Sequence, residues 1–360
     1  MSDEDRIDEL LEALSFTVLL LLARRIGSGG GEFERAVGVT SDVAEARGLV
    51  DRARALVIGA ASTAMARKWR ADRAQMARRA AAHGAAVVDT PAAVKRAPAA
   101  LRAVLDPLMD PRRVMLLCHD GQWRDIDAAW RETIREAAAV EGAVAEDFMA
   151  PLAERWSRHG LAVSMGDSGA REIAGAVRSA VYEQMARISD EANEEARRSA
   201  GMDAYEVSVH FLCAEDHLDH QGRIYTVAEM DEVNAGLDRP IGRGVMNCRH
   251  FLMPCYSDDE PSVPSEVVEE AREASMREVT YHDLRGRERT CTAYEATQVM
   301  RRREVEIRRI RQLAALTEAA GGDPEPAMSL ARSRTKAYRD LCAELGEPPQ
   351  MRRTRAYKMA

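Results

Sequence analysis

Apolar positions recur at helical spacing through most of this 360-residue chain. Ile7, Leu10, Leu11, Leu14, Val18 and Leu21 fall three and four residues apart. That spacing predicts an amphipathic helix, with Arg24 and Arg25 suited to its C-terminal dipole. Its expected docking partner is another protein rather than a membrane, because the apolar run Phe16–Ala23 is far short of the roughly 20 residues a bilayer span needs. Gly27 to Gly31 should break this helix as a flexible hinge, and it lacks the Gly-Lys-Ser/Thr ending of a phosphate loop. From Ser41 to about His83 there is no proline, which predicts one long helix or two, with Ser41-Asp-Val-Ala-Glu45 as capping chemistry. Pro91, Pro98, Pro107 and Pro111 then mark a looser segment. Helical patterning returns over Trp123–Val140 and Ala170–Ser199, the second with an apolar stripe of Ile173, Val177, Val181, Met185 and Ile188.

The period changes after Met202. Tyr205–Val209 alternates like a strand, and Arg223–Thr226 is a second short candidate. Gly236, Pro240, Gly242 and Gly244 predict a loop-rich stretch, and Asp258–Ser265 a polar linker. Glu278–Tyr281 and Glu288–Thr292 flank Arg285-Gly286 as a β-hairpin. A charged helix is expected over Ala293–Ala320, ended by Gly321-Gly322-Asp323-Pro324, and a last helix over Ala327–Leu345. The fold class read from these elements is α+β and mainly helical. An extended helical region covers residues 1–165. A small β-containing core covers 166–260, and a hairpin with two charged helices and a basic tail covers 261–360.

Composition fits a helix-rich protein: 46% hydrophobic, 31% charged and only 5% aromatic residues. The net charge of −8 does not favour nucleic-acid binding overall, but it is unevenly spread. From Met276 onward 18 Lys/Arg face 12 Asp/Glu, which leaves −14 on the rest of the chain. A basic tail on an acidic body invites a charged partner. The end from Arg352 to Lys358 could meet DNA, non-specifically and with salt dependence, or an acidic protein surface. Six scattered cysteines without a Cys-x-x-Cys do not form a disulfide framework, and a reducing compartment is the simpler setting. The acidic start Ser2-Asp3-Glu4-Asp5 is wrong for a signal peptide.

Candidate chemistry concentrates between His210 and Cys255, which holds four of the eight histidines and three of the six cysteines. Imidazoles and thiols bind soft metals or move protons near neutral pH. One reading is a zinc site of His210, His217, Cys248 and His250, with Cys213, His220 and Cys255 as further ligands of the same kind. A second is a buried polar network that welds loops to a sheet, with Gln221-Gly222 as a turn carrying an amide anchor, Asn247 as a loop cap and Cys248 as a small apolar residue. A third is catalysis, loosely similar to His-Asn-His metal nucleases. However, neither a Gly-x-Ser-x-Gly elbow nor a deaminase His-x-Glu with Pro-Cys-x-x-Cys is present, and no catalytic residue is assigned.

Several motifs occur in a recognisable order. They are Gly201-Met-Asp-Ala-Tyr-Glu-Val-Ser-Val-His210, His217, Gln221-Gly222-Arg-Ile-Tyr225, Asn247-Cys248-Arg249-His250 and Pro254. Tyr294-Glu-Ala-Thr-Gln298, Arg301–Arg303, Glu306, Lys336-Ala-Tyr-Arg339 and Arg353-Thr-Arg355 continue the order. This pattern resembles the phage minor capsid protein 2 family over roughly Ala170 to Ala360. It departs from that family at Ala214-Glu215, where an Arg-Pro pair is usual, and at His220, where Trp is usual. The resemblance implies a phage or prophage minor capsid and head-morphogenesis protein, located in the virion head and in host cytoplasm during assembly. It would bind portal, capsid or scaffold proteins, with no membrane and no small-molecule substrate. The alternative is a virion-associated metal-dependent nuclease or effector.

Overall fold

A computed structural model describes residues 3–27, 32–139, 145–165, 169–213, 215–242 and 250–356. The helices are α1 (Asp3–Gly27), α2 (Glu32–Ala82), α3 (Ala92–Leu108), α4 (Ile126–Ala139), α5 (Ala145–His159), α6 (Ile173–Ala200), α7 (Glu215–Leu218), α8 (Val227–Gly236), α9 (Ser265–Met276), α10 (Ala293–Ala319) and α11 (Glu325–Leu345). The strands are β1 (Val114–Leu117), β2 (Trp123–Asp125), β3 (Ala162–Ser164), β4 (Ala170–Glu172), β5 (Ala204–Val207), β6 (Ile224–Thr226), β7 (Leu252–Cys255), β8 (Glu278–His282) and β9 (Glu288–Thr292). Helix accounts for 67% of the fold, and the sheets are small and antiparallel, so the chain is a mainly helical α+β protein.

Two compact units form, and each is discontinuous in sequence. The first contains residues 1–57, 105–178 and 299–360; the second contains 58–104 and 179–298. They cut across the three successive segments 1–165, 166–260 and 261–360 read from hydrophobic patterning. Such patterning follows the chain and does not register which distant segments share a core.

In the first unit, α1 is not the helix with one apolar face that its spacing predicts. Ile7, Leu11, Leu14, Val18 and Leu22 are buried on one stripe, but so are Ala13, Phe16, Leu19, Leu20 and Ala23, on other faces. Its docking partner is the chain itself, since α1 packs on α4 and α5. Its acidic side chains pair with arginines brought from afar: Asp8 with Arg178 at 2.6 Å, Glu12 with Arg308 at 2.7 Å and Glu9 with Arg352 at 2.6 Å. Beside it lies the sheet β2-β1-β3-β4, where Trp156 donates its indole N–H to Leu117 O at 2.9 Å.

Other expectations are corrected locally. Helix α2 begins at Glu32, so Ser41 lies inside it and caps nothing, while Asp42 takes a two-pronged hydrogen bond from Arg25 at 2.6 and 2.8 Å. The proline-marked segment contains α3, with Pro91 just before it and Pro98 and Pro107 within it. Gly27 is described, whereas the rest of the expected Gly27–Gly31 hinge lies outside the described residues. The described part of the basic tail folds back: Thr354 is fully buried and accepts from Arg311 at 2.9 Å, and Arg352 and Arg353 pair with Glu9 and Glu304, while Tyr357 and Lys358 lie outside the described residues. The hairpin β8-β9 and helices α10 and α11 lie where the pattern predicts.

Gly27 meets α10 backbone to backbone. A Cβ there would sit 2.7 Å from Ala319 O and 2.8 Å from Ala320 Cα, and neither atom belongs to a side chain that could turn away. Gly27→Ala should therefore lower unfolding free energy by about 1–3 kcal/mol, the usual range for overpacking. Urea melts of the full chain would measure it, and an unchanged midpoint would mean the contact is loose.

Candidate functional site

The second unit is built on the sheet β6-β5-β7, with β5 central. Tyr205 pairs with Tyr225 on one side and Pro254 on the other. One side packs a small core of Tyr205, Val207, Met230, Ile241 and Leu252. Helix α8 enters this core through a capping box, in which Glu229 N donates to Thr226 Oγ1 and Thr226 N to Glu229 Oε2. Asn234 then braces the following loop, accepting from Ile241 N at 2.7 Å and donating to Ile241 O at 3.3 Å.

Beyond Val207 the pairing of β5 with β7 continues by one backbone and one side-chain bond. Ser208 N donates to Phe251 O, and Phe251 N donates to Ser208 Oγ, both at 3.1 Å. That pairing places His210, just past β5, beside His250, just before β7. Their ring centroids lie 5.0 Å apart, edge to face. Helix α7 brings His217 to the other side of His250, with centroids 5.2 Å apart. Cys213 completes the group, its Sγ 3.6 Å from His250 Nε2. His217, His250 and Cys213 are buried.

Each member is held from outside. His217 Nε2 donates to Arg239 O at 2.8 Å, which fixes the tautomer with its proton on Nε2. Arg239 is itself gripped by Asp216 at 3.0 Å. Ser208 Oγ lies 3.1 Å from His210 Nε2, and His210 N donates to the buried Gln221 Oε1. Cys213 N donates to Ser275 Oγ at 3.1 Å, and the fully buried Ser275 donates in turn to Ala271 O. Leu212, between His210 and Cys213, has φ of 57°, a left-handed conformation that non-glycine residues seldom adopt. Gly222 needs its own left-handed backbone, φ 69°, in the Gln221-Gly222 turn, where a Cβ would meet Val268 at 2.7 Å.

Burial, and then the nearby rings of His210 and His217, push the His250 imidazole down to about 3, against a small opposing pull from Asp216. His250 is therefore neutral throughout the physiological range. Burial also lowers His220.

Of the predicted ligands, His210, His217 and His250 come together, and Cys248 lies outside the described residues, as does Asn247. His220 turns instead to the Tyr225 hydroxyl at 2.9 Å. Cys255 is buried in β7, its thiol pushed up to about 12 by burial, against an opposing pull from Arg79. The predicted amide anchor at Gln221 is present. Among the described residues no three His, Cys, Asp or Glu side chains stand ready-made as a metal cage. Cys213 enters the group through the turn at Leu212, and Ser275 supports it from α9. No sequence signal marks Ser275, whereas the capping-box pattern Thr226-Val-Ala-Glu229 is a signal that could have announced α8.

The opposite side of β5 carries a buried charge. Glu206, 2% exposed, is bonded by Arg79 and accepts from Ser262 N and Oγ, each at 2.8 Å. Arg79 also reaches Asp259 at 3.7 Å, and His83 bonds Asp259 at 3.2 Å while stacking on Tyr256 with centroids 3.8 Å apart.

The phage minor capsid protein 2 model matches residues 51–344. The chain belongs to the phage minor capsid protein 2 family. The match reaches well upstream of Ala170 into α2, so the N-terminal half from residue 51 on shares in the family, while α1 and Arg353-Thr-Arg355 lie outside the match. No curated protein and no solved structure matches the chain.

Glu206→Ala would leave Arg79 charged and buried, and should destabilise the protein by about 3–5 kcal/mol. Replacing both partners with apolar residues, Arg79→Met with Glu206→Leu, should cost less than the single change. Denaturant titrations of the three variants decide this; a single-variant loss under about 1 kcal/mol would show that the pair is no anchor.

Proposed function

We propose that this member of the phage minor capsid protein 2 family works by binding, holding neighbouring portal, capsid or scaffold proteins in the head of a phage or prophage particle. Membership of that family, across residues 51–344, is the observation that carries the reading and supports a phage structural role. The arrangement of the His cluster is in keeping with it. His217 Nε2, Gln221 Oε1 and Ser275 Oγ each bond backbone groups, which is how loops are fixed in place, and burial keeps His250 neutral. On this reading the chain accumulates in host cytoplasm during assembly and ends in the virion. No helix among the described residues is long and apolar enough to cross a membrane.

The test is co-expression of the full chain with the portal, major capsid and scaffold proteins of the same phage, followed by sedimentation. The expected result is co-sedimentation with one of them or with assembled heads. Purified heads that lack the chain would overturn the proposal. A parallel incubation with plasmid DNA, with magnesium, manganese or EDTA, should leave the DNA intact. Divalent-dependent cleavage that disappears in His210→Ala would favour the nuclease alternative instead.

A further inference from the structure

We propose that the hairpin β8-β9 joins two copies of this chain, the outer edge of β8 pairing antiparallel with the same edge of a second copy. Among the described residues β8 pairs with β9 alone, and no residue of either strand is buried. A two-stranded ribbon is marginal in water by itself, and further strands stabilise it. A free edge is normally blunted by lysine, proline or a bulge. The edge strand here reads Glu278-Val-Thr-Tyr-His282, without lysine or proline, and its register with β9 runs unbroken from Glu278–Thr292 to His282–Glu288.

The ladder fixes which backbone groups point outward. Ala293 N donates to Arg277 O at 2.8 Å, and Asp283 N donates to Arg287 O at 2.9 Å. Hydrogen-bonded and non-hydrogen-bonded pairs alternate in an antiparallel ladder, so Val279–Cys291 and Tyr281–Arg289 are the bonded pairs between those two. Glu278, Thr280 and His282 therefore turn their N–H and C=O groups away from β9. On β9 the matching edge is partly taken, since Thr292 N donates to Glu295 Oε2 at 2.9 Å at the start of α10. The outer side of β8 is the more open edge.

The chemistry of that edge is its own complement. A twofold axis at Thr280 sets this residue opposite Thr280 of the second copy, and Glu278 of each copy opposite His282 of the other. All three are hydrogen-bonded pairs by the same alternation, which gives about six backbone bonds between the copies. On one face each carboxylate meets an imidazole. The Thr280–Thr290 hydroxyl contact, 3.4 Å within one copy, extends there into a row of four threonines. On the other face Val279 meets Tyr281 of the second copy at the closer, non-hydrogen-bonded positions, an aromatic with β-branched pair of the kind that stabilises sheets. Val279 and Tyr281 are each half-buried in a single copy. The contact is isologous and closes at two copies, so it makes a dimer and not a fibre.

The dimer contact stands apart from the choice of head partner. Sedimentation velocity of the full chain, at concentrations up to about 1 mM, should show a monomer–dimer equilibrium. Thr280→Pro removes an N–H that the hairpin itself does not use, a place where an edge strand tolerates proline. It should weaken the dimer at least about 30-fold, because each copy loses one hydrogen bond to the other. Thr290→Pro makes the same change on the opposite edge and should leave the dimer as strong as in the wild type. Circular dichroism of both variants separates a lost edge from a lost fold. Thr280→Cys should give a disulfide-linked dimer above the wild-type background on mild oxidation with diamide, because the Cα atoms of a hydrogen-bonded pair stand about 5.5 Å apart. Glu278→Cys, which lies out of register with its own copy, should not. A wild-type chain that stays monomeric throughout, or a dimer that survives Thr280→Pro, overturns the proposal. Cross-linking through Glu278→Cys as strong as through Thr280→Cys overturns the register. A monomer whose β8 amides gain hydrogen-exchange protection only with a head protein bound overturns self-pairing and gives the edge to that protein.

Discussion

The second unit depends on a charge that has no route to water. Glu206 sits in the middle strand of a three-stranded sheet, and a carboxylate there is tolerated only if it is neutralised and fully hydrogen-bonded. Arg79 supplies the countercharge from α2, and Ser262 supplies two donors from the segment before α9. One carboxylate thereby fixes three elements that are far apart in sequence. Against hydrophobic contacts of similar area the net stability gained is small, but the arrangement admits few alternatives. A shift of β5 by one residue would strand Glu206 among the apolar side chains of the core on its other face.

The histidine cluster inherits its geometry from that anchoring. Because β5 is held in register, the Ser208–Phe251 bonds place His210 opposite His250, and the turn at Leu212 then delivers Cys213 to the same place. Asn193 reinforces the other side by donating from α6 to Leu252 O at 3.0 Å. The network orients the imidazoles, and the bond from His217 Nε2 to Arg239 O sets the tautomer of that ring.

What patterning along the chain could reveal was local. The hairpin β8-β9 and the helices α10 and α11 are defined by alternation, a turn at Gly286 and stop signals at Gly321 and Gly346, all within reach of their own neighbours in sequence. Strand β7 was hidden because Leu252-Met253-Pro254-Cys255 is buried on both faces, so it does not alternate, and its proline argues against a central strand. It tolerates proline because it lies at the sheet's edge. Helix α1 misled in the opposite direction. Its leucines do fall at helical spacing, but the residues between them are buried too, against partners more than a hundred positions away that no local window contains.

The same distinction separates the histidines from the cysteines. His210, His217 and His250 were legible as a group because imidazoles are scarce and their order matches a family pattern. Which thiol joins them could not be read that way, since Cys213, Cys248 and Cys255 are equally close in sequence terms. The deciding features are conformational. Pairing with Ala204 places Cys255 in the strand among Arg79, Asp259 and Glu206, and a single left-handed residue turns Cys213 toward His250. A leucine in that conformation carries no sequence signature, because the residues that favour it are glycine and asparagine. The place of Cys213 beside His250 is therefore set by one backbone torsion, which residue identities alone do not encode.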